Sequence, residues 1–185
     1  TMIGSIILGM GVPTTAQYII TSTLAAPALA QMGVPMMSAH LFCLYFGVLA
    51  DVTPPVALAT YAASGIARSN PMKTGSTALV TAVAGFLVPF MFVYNPYLLL
   101  KGDILHIILG CVTALIGILG LSAGVQGYLV HDLNVAERAL LLGVPFLIIY
   151  PTLTTNVIGV LIIAAIYALQ KGMGKKKMKL EGGAV

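Results

Sequence analysis

Asp51 is the only formally charged residue in the first 67, and it stands just before a helix-breaking Thr53-Pro54-Pro55. The run around it, His40 to Ala67, is long and apolar enough to cross a bilayer. A charge and two prolines are both costly there. An Asp at bilayer centre costs roughly 2.5–3.5 kcal/mol on insertion scales. Each interior proline removes a backbone donor and strands a carbonyl of the preceding turn. Broken backbone at membrane depth survives only where protein or a water-filled cavity covers it. The segment therefore reads as a discontinuous transmembrane helix, and its gap as a place for an ion or a polar solute.

Composition agrees with a membrane setting. Hydrophobic residues make up 59% of the chain and charged residues 8%, where a soluble domain carries about 25% charged residues. The apolar stretches are too long and numerous for a signal peptide. The 185 residues leave room for roughly five or six crossings. The chain opens in apolar sequence at Thr1, without an initiator methionine, so the expectation is a C-terminal piece of a larger membrane protein. Cys43 and Cys111 fall inside apolar spans and read as packing residues.

The spans can be placed by their punctuation. Residues 1–31 form two helical arms, Met2 to Met10 and Thr14 to Gln31, with Gly9-Met10-Gly11-Val12-Pro13 between them. Gly33-Val34-Pro35 is a turn. The discontinuous element covers 37–67, with halves near Met37–Ala50 and Val56–Ala67 and an unwound Asp51–Pro55. Arg68 to Lys73 reads as a polar loop. Residues 74–94 form an uncharged helix with Pro89 as a candidate kink. Tyr94 and Tyr97 mark its membrane surface.

About four crossings are expected after the break: 74–94, 104–124, 136–150 and 154–170, of which 136–150 is short. Pro151 ends the third of them. The last three belong to an additional C-terminal region, 101–170. Asn134 and Glu137 have capping-box spacing. Lys171, Lys175, Lys176, Lys177 and Lys179 make 171–185 a basic tail. The tail has no interleaved aromatics, which argues against nucleic acid. Placing Arg68 and Lys73, Arg138 and this tail on one side satisfies the positive-inside bias. His40 then lies outside, the C-terminus is cytoplasmic, and the residue 1–31 hairpin re-enters from the outer face.

Two broken elements offer a definite chemistry. Half-helix C-termini suit Na⁺ or H⁺, and N-termini suit a carboxylate. Thr14, Thr15, Thr53 and Thr60 add hydroxyl oxygens that fit a hard cation. Asp51 is either a cation ligand, a titrating group, or a carboxyl that caps free amides at the break. Gly9 and Gly11 permit the bend. Spacing alone leaves a transport site and a pair of structural kinks equally open. No His or Cys spacing suggests a metal centre, and no cofactor is expected beyond a coupling ion.

Four stretches, GMGVPTTAQYI (9–19), FGVLADVTPPVALATYAASGIA (46–67), NPMKTG (70–75) and VPFMFVYNP (88–96), resemble the large membrane subunit of tripartite ATP-independent periplasmic (TRAP) transporters. The last two resemble the fused permeases of the TAXI branch, which also carry additional C-terminal helices. The resemblance implies an all-α elevator-type symporter of the inner membrane, built from two inverted repeats of which residues 1–100 are the second. It implies a TAXI-type periplasmic solute-binding protein as partner, a small membrane subunit fused in the same full-length chain, Na⁺ or H⁺ as coupling ion, and an organic acid as solute. By position, Gly9, Gly11, Pro13, Thr14 and Thr15 would line the cation and solute site, with Asp51, Thr53, Pro54 and Pro55 facing them. Many relatives have a small or apolar residue at the position of Asp51, so the resemblance assigns it no role. A membrane-embedded enzyme using Asp51, or a purely structural subunit, is the alternative; the enzyme reading lacks a second catalytic group in the spans.

Overall fold

The computed structural model describes residues 1–149 and 152–181. It is helical, and an isolated bridge between Tyr128 and Asp132 is the strand-like pairing among the described residues. The chain divides into two compact units, Thr1–Gly102 and Asp103–Val185.

Unit 1 begins with α1 (Met2–Gly9) and α2 (Thr14–Gln31), joined by the bend at residues 10–13. Pro13 (φ −55°, ψ 142°) holds the extended conformation that launches α2. Gly33, at φ +87°, ends α2 in a Schellman motif: Val34 N donates to Leu29 O and Gly33 N to Ala30 O. Helix α3 (Met36–Leu49) runs into a 3-10 turn, Ala50–Val52, and α4 (Leu58–Ala67) resumes after it. Then come α5 (Pro71–Thr81), α6 (Val83–Tyr94) and a short 3-10 turn, Pro96–Leu99.

Helix α3 is the axis of this unit. Its buried Ala39, Phe42, Cys43 and Phe46 meet Ala26 and Leu29 of α2, with Met2 and Ile6 of α1 and Phe86 and Phe90 of α6 packed around them. The Phe42 ring lies edge-on to Phe90 at 5.2 Å and to Phe46 at 4.7 Å. Ser38 Oγ donates to Phe92 O at 2.9 Å, tying α3 to α6. In lipid there is no hydrophobic drive between helices, so such close contacts and interhelical bonds carry the association.

Three boundaries differ from the sequence reading. The unwound stretch is Thr53–Ala57 rather than Asp51–Pro55, because Ala50–Val52 tightens into one 3-10 turn and Thr53 closes it, its hydroxyl donating to Leu49 O at 2.6 Å. The polar loop stops at Asn70, whose side chain accepts from Lys73 N at 3.1 Å, so Pro71, Met72 and Lys73 are the first turn of α5. The interruption between α5 and α6 lies at Ala82 (φ −81°, ψ 2°), two turns before the expected kink, and Pro89 is buried inside α6.

Unit 2 consists of α7 (Ile104–Gln126), α8 (Val135–Ile149) and α9 (Leu153–Glu181). Helix α9 carries straight on through the lysines that the sequence separated as a tail. Buried Gly110, Gly117, Gly120 and Gly124 line one side of α7. A methyl at Gly120 would lie 2.7 Å from Ile163 Cδ1, and one at Gly124 would lie 3.2 Å from Leu142 N, so these glycines set how closely α8 and α9 approach. Only half of the expected capping box forms: Glu137 Oε2 accepts from Asn134 N, but Asn134 Oδ1 bonds its neighbour Val135 N. The end of α8 at Pro151 falls outside the described residues.

Pro71–Tyr94, Ile104–Gln126 and Thr154–Lys171 are long and apolar enough to cross a membrane among the described residues. The 15 residues of α8 span about 22 Å, short of a ~30 Å hydrocarbon slab. The halves of the broken element, Met36–Val52 and Leu58–Ala67, are apolar and individually short.

Candidate cation and solute site

The bend and the break meet. Gly11, at φ +75°, is the turn residue of the bend, and a methyl placed on it would lie 3.5 Å from Val56 Cγ1 in the unwound stretch. Two residues earlier, Gly9 of α1 packs on Gly47 of α3: a methyl on Gly9 would lie 2.8 Å from the Gly47 carbonyl oxygen and collide with Gln17 Nε2. These two contacts hold the exposed tip of the bend against the last turn before the break.

The predicted residues divide by what their polar atoms are doing. Thr14 and Thr15 form the exposed first turn of α2. Thr21 and Thr23, deeper in the same helix, return their hydroxyls to Gln17 O and Ile19 O at 2.8 Å each, the default for threonine in a helix. Thr14 and Thr15 have no preceding helical carbonyl to receive a hydroxyl, and neither hydroxyl is hydrogen-bonded to a described residue. Pro13 contributes its carbonyl to Gln17 N at 2.9 Å. The first amides of α2 therefore face outward with the threonine hydroxyls beside them, a local field suited to an anion.

Asp51 is half-buried in the 3-10 turn and makes no capping bond and no ion pair among the described residues. The capping alternative for its carboxylate is thus set aside. Thr53 has committed its proton to Leu49 O and keeps an oxygen lone pair. Pro54 and Thr60 come together elsewhere, on α5: a methyl at Gly75 would lie 3.2 Å from Pro54 Cγ and 3.4 Å from Thr60 Oγ1. Thr60 is buried and donates to Ala57 O at 2.9 Å, which makes it a brace for the restart of α4. Pro55 is exposed, and its carbonyl accepts from Tyr61 Oη at 2.6 Å.

Three residues at this junction escaped the sequence reading: Gln17, Gly47 and Val56. A long polar amide well inside an apolar arm is a signal that marks Gln17, because an intramembrane polar side chain needs a reason. Gly47 and Val56 carry no such mark.

The family model for the DctM component of the tripartite ATP-independent periplasmic transporter matches residues 1–107. The chain belongs to this family. In a TRAP permease component of this kind, the match spans all of unit 1 and ends within the first turn of α7, so the bend and the break both lie inside it. No curated protein and no solved structure shows a significant match. The chain is thus a multi-pass membrane protein of a transporter family, one whose systems include a periplasmic component.

Proposed function

We propose that this chain is the permease of a cation-coupled secondary transporter that imports an organic acid across the inner membrane. A periplasmic binding protein of the TAXI type hands the solute to it. The observation that carries the reading is the apposition of Gly11 and Val56. The bend from which Thr14 and Thr15 open α2 then lies against an unwound stretch that directly follows the turn carrying Asp51. The two have opposite preferences. A helix N-terminus favours the carboxylate of the solute, while Asp51, the Thr53 oxygen and the carbonyls freed around the break favour Na⁺ or H⁺. Binding of one then lowers the cost of desolvating the other, which is the basis of coupling.

In this reading the α1–α2 pair re-enters from the outer face and moves with α3 and α4 as one elevator body. The lysine-rich end of α9 lies on the cytoplasmic side. The test is uptake into proteoliposomes containing the transporter, with its binding protein outside. Accumulation driven by an imposed Na⁺ or H⁺ gradient is expected. Equal uptake with and without any gradient refutes symport.

A further inference from the structure

The side chain of Gln17 fills the space that Gly9 and Gly47 leave open. It is 1% exposed; a methyl on Gly9 would run into its Nε2, and one on Gly47 would press on its Cγ at 3.3 Å. Nε2 donates to Gly9 O at 3.0 Å. Gly9 is the last residue of α1, so its carbonyl is one of those a helix end leaves without an intrahelical donor. This bond fixes the amide's sense, because the reverse orientation would set oxygen against oxygen. The other end of the amide is different. Oε1 has no hydrogen-bond partner among the described residues. Since Nε2 and Cδ are the side-chain atoms nearest Gly9, Oε1 is turned away from the glycine contact.

A glutamine that served only to staple α1 to α2 would have both ends occupied, as Gln170 does in unit 2. There Oε1 accepts from Val130 N and His131 N, and Nε2 donates to Glu137. A buried acceptor left empty is costly, and in a native fold it calls for an explanation, an ion among them. Gln17 also lies three residues after Thr14, on the same face of α2, at the C-terminal end of α1, where the helix dipole favours positive charge.

We propose that Gln17 is a ligand of the coupling cation, with Oε1 as the donor atom and the Nε2 bond to Gly9 as the strut that orients it. The inference rests on the cation-coupled reading above and sharpens it to Na⁺, because a neutral carboxamide oxygen coordinates a hard cation but carries no proton at ordinary pH. The experiment is a Na⁺ titration of uptake by the reconstituted transporter with its binding protein, at fixed pH and solute, for wild type, Q17M and Q17E. Methionine keeps length and removes the oxygen. Q17M should lose about tenfold in apparent Na⁺ affinity, a typical cost of disturbing a metal shell. Q17E supplies oxygen without the N–H and should stay nearer wild type than Q17M. Wild-type affinity in Q17M overturns the proposal, and so does a Q17E that inserts normally but is as impaired as Q17M, since that leaves only the strut. If Q17M fails to insert, Q17E alone decides: retained or tighter Na⁺ affinity supports the ligand, and loss of the Na⁺ response contradicts it. Wild-type uptake indifferent to any cation gradient refutes the cation-coupled reading itself, whereas coupling to H⁺ alone refutes only the ligand.

Discussion

Gly11 and Val56 belong to separate interruptions of the chain, yet only 3.5 Å separates a methyl placed on Gly11 from Val56 Cγ1. Alanine at Gly11 would have to adopt φ +75°, which costs a residue with a Cβ roughly 1–2 kcal/mol. The Gly11→Ala transporter should therefore insert, but with slower uptake and a less stable unit 1. Initial uptake rates and thermal unfolding in detergent check both halves of this statement.

Gly9 and Gly4 lie in the same short helix and should respond oppositely to the same change. A methyl on Gly9 meets the Gly47 carbonyl and the Gln17 amide, while one on Gly4 has nothing within 4 Å. Gly9→Ala should destabilise by about 2–3 kcal/mol, as overpacking of a close contact does. Gly4→Ala should be neutral or raise stability by up to about 1 kcal/mol through reduced backbone entropy of the unfolded chain. Melting temperatures of the two variants, measured side by side, decide it.

Asp51 has no hydrogen bond or ion pair to lose among the described residues. Asp51→Asn should then fold with stability within about 0.5 kcal/mol of wild type but respond more weakly to the cation gradient. Flux ratios and cation titrations provide the check. Unchanged cation stoichiometry and affinity would remove Asp51 from the coupling machinery.

Gln170 is buried and serves three bonds, to Val130 N, His131 N and Glu137 Oε2. Gln170→Leu leaves the Val130 and His131 amides unpaired, while Glu137 Oε2 keeps its bond from Asn134 N. A loss of about 2–4 kcal/mol is expected, from penalties of ~1–3 kcal/mol for each buried unsatisfied group. Hydrogen exchange at Val130 and His131 should rise, while the apparent cation affinity, which the proposed function assigns to unit 1, stays where it was.

The elements that sequence delimits well are those bounded by local chemistry. Pro13 and the Gly33-Val34-Pro35 turn bracket α2 from Thr14 to Gln31, as read from the sequence, because backbone geometry at those residues leaves little choice. Thr53-Pro54-Pro55 announces a break for the same reason. The errors of a few residues arise where a side chain reaches along the chain: Thr53 to Leu49, which extends order past Asp51, and Asn70 to Lys73, which draws Pro71 into α5. Ala82 carries no breaking signal at all.

The candidate site was half legible. Thr14, Thr15 and Asp51 stand out as polar groups in apolar sequence. Thr60 stands out equally and turns out to brace α4, because packing against Gly75 is invisible in spacing. Gly47, Val56 and the Gln17 amide are defined by contacts across separate helices, and no local pattern encodes them.

Cross-linking of Gly11→Cys to Val56→Cys, with Cys43 and Cys111 replaced by alanine, measures most directly whether the two interruptions meet. A Cβ on Gly11 lies 3.5 Å from Val56 Cγ1, the position that a cysteine sulfur at residue 56 can take up, so the two thiols are within reach of each other after a small adjustment. A mild oxidant applied to native membranes should join the pair rapidly, and a reductant should release it. Thiols that stay free in the folded transporter, and pair only after it is unfolded, would contradict the apposition on which the proposed cation and solute site rests.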